Sequence, residues 1–398
     1  MRQPTVVIVG AGPVGLTAAL LLGHRDVQVV LLEAESAVSD DLRASTFHPP
    51  TLDMLAPFGI TARMLDEGLI CPTWQIRMHP SGDRAVFDLS VLRDETEHPY
   101  RLQCEQSKYC EFLVAALDTL PNVTLRFSTQ VTGLRQDGDK VHLNVQSPEG
   151  EEVVSADYVI GADGARSAVR RCLGIDMDGD IYPETTILAT TQFPFHEHLD
   201  DLSNVSYCWK PNGTFSLLRL SDRWRVSLHP PEGMPVEQAM TPQAQQEMLH
   251  DIVPDAGPIE VLQTRPYRIH RRLAATYRKG RVFLAGDAAH LNSPSGGMGM
   301  NGGIHDAFNL CEKLVAVLRG DADENILDRY ERQRRPIAEE EIIQQAHRNR
   351  SRMRESDPER RRAILEDLQR TTADPIKLKS YLMKSSMIDG LRRAAATD

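Results

Sequence analysis

The sequence predicts a mixed fold of α/β plus antiparallel β. A parallel nucleotide-binding unit is interrupted by an inserted β-sheet and closed by C-terminal helices. Three observations predict it. First, the β-branched run Thr5–Val9 leads through glycines into the helix-like Val14–Leu22 and a second strand, Val27–Glu33, which is one parallel βαβ unit. Second, Thr185–Phe193, Ser206–Lys210, Thr214–Leu220 and Trp224–His229 are successive strand-like runs with no helix between them, the pattern of an antiparallel sheet. Third, nucleotide-fold elements return at 155–175 and 280–320, so the first unit is discontinuous and the sheet is inserted into it.

The remaining elements follow from local chemistry. Leu52–Leu55 and Ile60–Leu65 read as short helices around Gly59. Trp74–Met78 and Ala85–Leu89 read as strands about the Ser81-Gly82-Asp83 turn. Gln106–Leu117 reads as a helix, and Thr124–Phe127, Gly133–Gln136, Val141–Gln146 and Tyr158–Gly161 as strands. Ser221-Asp222 is a hairpin turn. Val282–Ala285 is a buried strand before a Gly-rich loop and the helix Ile304–Arg319, and the chain from Ile326 onward is charged and helical. The expected division is a cofactor unit at 1–72, 99–178 and 265–345, a substrate-binding sheet unit at 73–98 and 179–264, and C-terminal helices at 346–398.

Composition narrows the function. The 398 residues, 41% of them hydrophobic, can bury a substantial core. A net charge of −11, from 45 basic and 56 acidic residues, argues against nucleic acid or an acidic membrane as partner. The locally basic Arg348–Arg362 reads as a solvated helix face. Cysteines at 71, 104, 110, 172, 208 and 311 form no CxxC pair and meet no His cluster, so no metal is expected and a reduced, cytoplasmic protein is. Pro4–Gly23 carries no charge, but its glycines and Pro13 break it and no basic region precedes it. It reads as a buried strand–turn–helix, not an integral membrane segment.

Three motifs carry chemistry. In Gly10-Ala11-Gly12-Pro13-Val14-Gly15, Gly10 permits the tight turn, Gly12 lets backbone approach a pyrophosphate, and Gly15 lets helix pack on strand. The helix dipole then favours the phosphates. Glu33, 18 residues after Gly15, is placed to accept from ribose hydroxyls. The second motif, RVFLAGDAAHLNSPSGGMGMNGGIHDAF, ends a strand at Gly286-Asp287 and runs through the amide-rich loop Gly296–Gly303 into a helix. Asp287 can bind a polyol hydroxyl. The loop's N–H groups and helix dipole suit a flavin edge that gains negative charge on reduction, a need no pure dehydrogenase has. The third, DYVIGADGARSAVRR, places Asp163-Gly164 in a turn after a short strand.

In this order and spacing, over about residues 4–340, the chain resembles the class A flavoprotein monooxygenases, the para-hydroxybenzoate hydroxylase family. The resemblance implies a Rossmann-like FAD-binding domain of the GR2 type. It implies FAD contacts from Arg43, from Gln106 on the ribityl chain, and from Asn301 at the isoalloxazine edge. Asp163 and Arg166 would serve the pyrophosphate region and NADH or NADPH. Pro13, Val14, Pro294, Gly297, Gly299 and Met300 complete the expected cofactor contacts, with Pro294 also at the substrate. YERQRRP, Tyr330–Pro336, is similar to the family's closing helix. Asn292 and Ser293 depart from the family's proline-rich rim. The implied cycle is reduction of FAD by NAD(P)H, addition of O₂ at flavin C4a, and transfer of oxygen from the hydroperoxide to a phenol or hydroxylated heteroaromatic.

Substrate contacts are expected from the alternating Tyr207, Trp209, Phe215 and Leu217. Arg219 and Arg225 are expected to receive a carboxylate. His48, just beyond Arg43, is the expected proton carrier, while His290 reads as structural. A homodimer is compatible with all of this. Epoxidation, Baeyer–Villiger or polyketide-tailoring chemistry on the same scaffold is the alternative reading. A non-catalytic nucleotide sensor is the alternative of another class.

Overall fold

The computed structural model describes residues 5–41, 43–211, 213–231, 233–294 and 296–398, and only the backbone of residues 183, 184, 341 and 342. Pro4 of the uncharged N-terminal run and Ser295 of the Gly-rich loop therefore lie outside the described residues.

The strand Thr5–Val9 is the centre of a six-stranded sheet. It pairs in parallel with Gln28–Leu32 on one side and with Tyr158–Gly161 on the other. Val123–Arg126 and Val282–Leu284 extend the sheet outward in parallel, and Arg278–Lys279 ends it antiparallel. The helix Pro13–Gly23 covers this sheet, and every residue from Gly15 to Gly23 is buried. A helix enclosed on all sides needs no polar face, which is why this segment looked membrane-like. The long helix Met298–Arg319 packs beside it.

An antiparallel meander, Gln130–Asp137, Lys140–Ser147 and Gly150–Ala156, is hung on this unit. Its third strand was not expected. GEEVV is too acidic to read as a strand, and it faces solvent at Glu151, Glu152 and Val153.

The inserted sheet has eight strands. In order these are His290–Leu291, Gln263–Ala274, Met177–Thr191, Trp224–Leu228, Gly213–Arg219, Val205–Lys210, Thr73–Met78 and Arg84–Asp88. Two expectations are corrected here. The sheet is mixed, because Val205–Lys210 lies parallel to Thr73–Met78. Residues 265–274, expected in the cofactor unit, pair along Met177–Thr191 in this sheet. One face of the sheet packs on Met248, Leu249 and Ile252, and the other on Leu365, Leu378 and Leu382 of the C-terminal helices.

The C-terminal segment is not a merely solvated basic face. Arg361 is 4% exposed, and its Nη1 donates to the Lys210 carbonyl at 2.7 Å. The helix Asp328–Ile337 passes through a wider π-type turn at Ala338–Ile343 into Gln344–Met353, which meets interior strands of the sheet at Trp209 and Tyr182. Among the described residues no helix is long and apolar enough to cross a membrane.

Candidate active site

Two glycine-built cradles meet at one side chain. In the first, Gly10 adopts φ +101°, and a Cβ there would stand 2.5 Å from the Ala162 oxygen. A Cβ on Gly15 would stand 1.9 Å from the Gly10 oxygen, whereas one on Gly12 would meet nothing within 4 Å. Gly12 thus offers bare backbone to an open space, and Pro13 opens the helix behind it. In the second, Gly286 adopts φ +60°, and Cβ atoms on Gly286 and Gly303 would lie 2.7 and 2.6 Å from Val14 Cγ2. Val14 is therefore wedged between the second strand–loop unit and the long helix, which fixes one cradle against the other.

The carboxylates around the cradles are placed as the chemistry needs. Glu33 accepts from Ala11 N at 2.6 Å and from Glu35 N at 3.0 Å, bracing the first loop while each oxygen keeps a lone pair. Asp163 accepts from Val169 N at 3.1 Å through Oδ2, but its Oδ1 is buried with no partner. That orphan adjoins Gly10, whose Cβ would fall 2.8 Å from Asp163 Cα. Asp287 is solvent-accessible yet lined by protein, as at the floor of a cleft. Its pKa is raised by that surrounding protein, with His290, Arg43 and His270 pulling it down.

The expected residues are not all brought together. Arg166 is exposed. Arg43 is also exposed and pairs with Asp41 at 3.3 Å. Gln106 starts its helix with its N–H on the Ala44 carbonyl at 3.0 Å. Pro294 is exposed and its carbonyl accepts from Gly297 N at 2.9 Å. Gly299 sits against Asn292, where a Cβ would be 2.7 Å from Oδ1. Met300 packs on the main core.

Asn301 is wholly buried beside the glycine loop. Its Oδ1 accepts from His48 N at 3.0 Å and from Thr51 Oγ1 at 2.7 Å. Its Nδ2 donates to the Thr46 and Gly297 carbonyls at 2.8 and 2.7 Å. The side-chain amide is fully used by protein and staples the 46–51 segment to the glycine loop, so any contact with a flavin edge falls to the Asn301 backbone.

His48 lies beside the same loop. It is buried, and its Nε2 lies 2.8 Å from the Gly296 carbonyl, so Nε2–H donates and the ring is neutral. Burial and the Arg101 charge hold its pKa at about 3. Such a ring stays neutral near neutral pH, and its one N–H is given to the Gly296 carbonyl, which it positions. His305, likewise lowered to about 3 by burial, contacts Thr51 Oγ1 at 2.9 Å.

Beneath the second cradle lies a buried network that sequence reasoning missed. Asp306 bridges His290 and Arg334, each at 2.7 Å, and accepts from Gly286 N at 3.1 Å. Burial would raise this acid, but its two partners outweigh that and hold it at about 2. Tyr330 donates to the Leu284 carbonyl at 2.7 Å. The YERQRRP helix therefore locks the strand that carries Gly286.

The proposed substrate wall is split by strand register. Phe215 pairs with Cys208 and Leu217 with Ser206, so both sit on the face opposite Tyr207 and Trp209, in the core with Met248. Trp209 is wholly buried, and its Nε1 donates to the Arg352 and Met353 carbonyls at 3.2 and 3.1 Å. Only Tyr207 lines the enclosed pocket, together with Trp74, Ile76, Arg101 and Gly296. The C-terminal helices close it with Asn349, Arg352, Met353, Tyr381 and Ser385. Arg219 lies over Trp224 at 5.8 Å, and Arg225 is buried with its guanidinium on the Arg43 carbonyl. Neither lines the pocket. Arg101, which does, carries no mark in the sequence, because an isolated arginine reads first as solvated.

The residues fit an FAD. The bare Gly12, the orphaned Asp163 Oδ1 and the cleft acid Asp287 ask for a long polar ligand, and the glycine loop ends at an aromatic pocket. Such a site defines a flavoprotein oxygenase. The chain belongs to the FAD binding domain family, whose pattern matches residues 3–346, and to its class A aromatic monooxygenases. It is 34% identical over 395 residues to para-nitrophenol 4-monooxygenase of Pseudomonas sp. (strain WBC-3), covering 97% of this chain and 96% of that one. It is also 34% identical over 344 residues to 6-hydroxy-3-succinoylpyridine 3-monooxygenase of Pseudomonas putida (strain DSM 28022 / S16), with coverages of 84% and 85%. The crystal structure of p-nitrophenol 4-monooxygenase from Pseudomonas putida DLL-E4 superimposes with a TM-score of 0.91 over 98% of each chain at 34% identity. The chain is an FAD-dependent monooxygenase of small aromatic molecules, with NADH or NADPH and O₂ as cosubstrates.

Proposed function

We propose that the enzyme hydroxylates a single-ring phenol or hydroxypyridine held in the pocket between Tyr207 and the C-terminal helices. The observation that carries this reading is the position of Gly296. It belongs both to the glycine loop of the second cradle and to the wall of the aromatic pocket. The relatives add support, since their names specify a nitrophenol and a hydroxylated pyridine.

In this reading Gly10, Gly12, Gly15 and Glu33 hold the adenosine half of FAD, and Asp163, Asp287 and Gly297 the rest. When bound, FAD supplies the redox chemistry that activates O₂ with electrons from NADH or NADPH. The chain's own part is placement and exclusion of water. Trp74, Tyr207 and Tyr381 orient the ring. His48 keeps its proton on Nε2, donated to Gly296, and so fixes the loop at the pocket wall. A cytoplasmic location and a homodimeric state belong to the same proposal. All six cysteines are free, five of them buried, which suits a reducing compartment.

The test is a panel of phenols, hydroxybenzoates and hydroxypyridines with the FAD-loaded enzyme. The expected result is NAD(P)H oxidation stimulated by one ring class, with a hydroxylated product. Stimulation by none of them would overturn the substrate class.

A further inference from the structure

Lys313 is a buried amine that the hydroxylation chemistry does not use. It stands on the long helix Met298–Arg319, one turn beyond Asn309, and is 6% exposed. Its Nζ donates to the Asn309 carbonyl at 3.1 Å and to Asn309 Oδ1 at 3.0 Å. The Asn309 amide is held in that orientation, because its Nδ2 donates to Gln333 Oε1 at 2.9 Å and Gln333 Nε2 donates to the Thr397 carbonyl at 2.6 Å. Two oxygens therefore take two N–H groups, which is all that a neutral amine has, whereas an ammonium keeps a third. Among the described residues no carboxylate is hydrogen-bonded to the Lys313 side chain. Burial lowers its pKa to about 8, and Arg329 and Arg334 push the same way against Glu312. About a tenth of the amine is thus unprotonated at pH 7, with its lone pair free.

The neighbouring helix Asp328–Ile337 has the opposite need. Arg334 is 1% exposed, with Nε on Asp306 at 2.7 Å and Nη2 on the Gly302 carbonyl at 3.2 Å, but its Nη1 is buried with no partner. Arg329 gives Nη2 to Asp398 at 2.7 Å, and its Nε is likewise buried with no partner. An arginine cannot shed its proton, and each buried donor left unmet costs stability. These two arginines are the cations whose charge acts on Lys313. A nucleophilic amine therefore stands beside two unmet donors that call for a negatively charged acceptor.

We propose that Lys313 is a site of carbamylation by carbon dioxide, and that the carbamate oxygens accept from Arg329 and Arg334. The Nζ lone pair attacks the carbon of CO₂. As the N–C bond forms, one C–O π bond opens onto oxygen, and the nitrogen releases one proton to solvent. Amine and CO₂ thus give a carbamate anion and one proton, with nothing oxidised or reduced. The N–H that remains stays on Asn309. The carbamate replaces a third positive charge with a negative one and makes charge-assisted hydrogen bonds from one helix to the other. The first helix carries Asn301 and Asp306, and the second carries Tyr330 and Arg334, so the modification braces the support of the second cradle. The site lies apart from the aromatic pocket, and the proposal does not depend on which ring is hydroxylated.

The experiment exposes the FAD-loaded enzyme, at about pH 8, to buffer equilibrated with ¹³CO₂. A trialkyloxonium reagent then traps any carbamate as its ester, and peptide mass spectrometry locates the label. The expected result is label on the peptide that holds Lys313, well above the level at other lysines, and none there in Lys313→Met. The melting temperature of the wild type should rise by on the order of 2 °C with CO₂ at constant pH and ionic strength. That rise should vanish in Lys313→Met and shrink in Arg329→Gln.

Absence of label at Lys313 in the wild type would overturn the proposal, and so would label spread evenly over the lysines. A gain in melting temperature without trapped label would also overturn it, because bound bicarbonate alone then accounts for the effect. If the variants do not fold, the position of the label in the wild type decides.

Discussion

Asn301→Ala is the perturbation that best separates a structural asparagine from a flavin-binding one. The wild-type amide makes four hydrogen bonds, to His48 N, Thr51 Oγ1, the Thr46 carbonyl and the Gly297 carbonyl. All lie in a buried region, and Asn301 itself is wholly buried. Each such bond is worth about 0.5–1.5 kcal/mol net, and each partner left unmet costs more, about 1–3 kcal/mol. Thr51 can turn toward His305, which already lies 2.9 Å away, so part of the loss is recovered. A total of about 3–5 kcal/mol is expected, which lowers the melting temperature by on the order of 5 °C. The assay is thermal unfolding of the FAD-free protein alongside FAD binding by fluorescence. The reasoning requires the FAD-free protein itself to be destabilised, with weaker FAD binding as a consequence. An unchanged melting temperature in the FAD-free protein, with FAD binding lost, would refute it and return Asn301 to direct contact with the flavin.

Three further outcomes are expected. Gly303→Ala places a Cβ 2.6 Å from Val14 Cγ2 and 2.9 Å from Gly286 Cα, so it should cost about 1–3 kcal/mol and reduce the yellow flavin absorbance of the purified protein. Asp306→Asn leaves buried Arg334 without its charge partner and should cost about 3–5 kcal/mol in urea unfolding. Stability should fall on acidification from about pH 6.5, the ordinary histidine value, because the unfolded chain takes protons at His48 and His305 that the folded chain refuses until about pH 3. In that window these two histidines together contribute about 2.7 kcal/mol per pH unit to the slope, and His79 and His270, whose pKa values burial also lowers, add to it. His305→Gln should lower the slope by about 1.4 kcal/mol per pH unit, as read from urea midpoints at several pH values.

The glycine cradles were legible because their constraint is local. Gly10, Gly15 and Gly286 are required by a turn angle or by a contact a few residues away, and no other side chain fits. The functional side chains were less legible because their partners lie far along the chain. Asn301 meets His48 across 253 residues and Arg334 meets Asp306 across 28, and no spacing rule links either pair. Family likeness marked Asn301 as a site residue but gave no sign of the protein partners of its side chain. Alternation groups Tyr207 with Trp209 and Phe215 with Leu217, but these two pairs lie on opposite faces of the sheet and not on one pocket wall. It could not say which face, because that depends on the pairing of Cys208 with Phe215. The strand Gln263–Ala274 was missed for a similar reason. Its sequence, QTRPYRIHRRLA, is charged and contains a proline, and its neighbour Met177–Thr191 makes it a strand, with Asp180 taking Arg271 at 2.7 Å.

The central claim is that one FAD spans the two cradles and delivers oxygen to a ring in the pocket beside Gly296. The most direct measurement is turnover of the FAD-loaded enzyme under ¹⁸O₂ with the best-binding phenol. The expected product is the hydroxylated ring carrying one labelled oxygen, formed in step with NAD(P)H consumed. Consumption of NAD(P)H and O₂ that yields only hydrogen peroxide, with every phenol of the panel recovered unlabelled and unchanged, would contradict it.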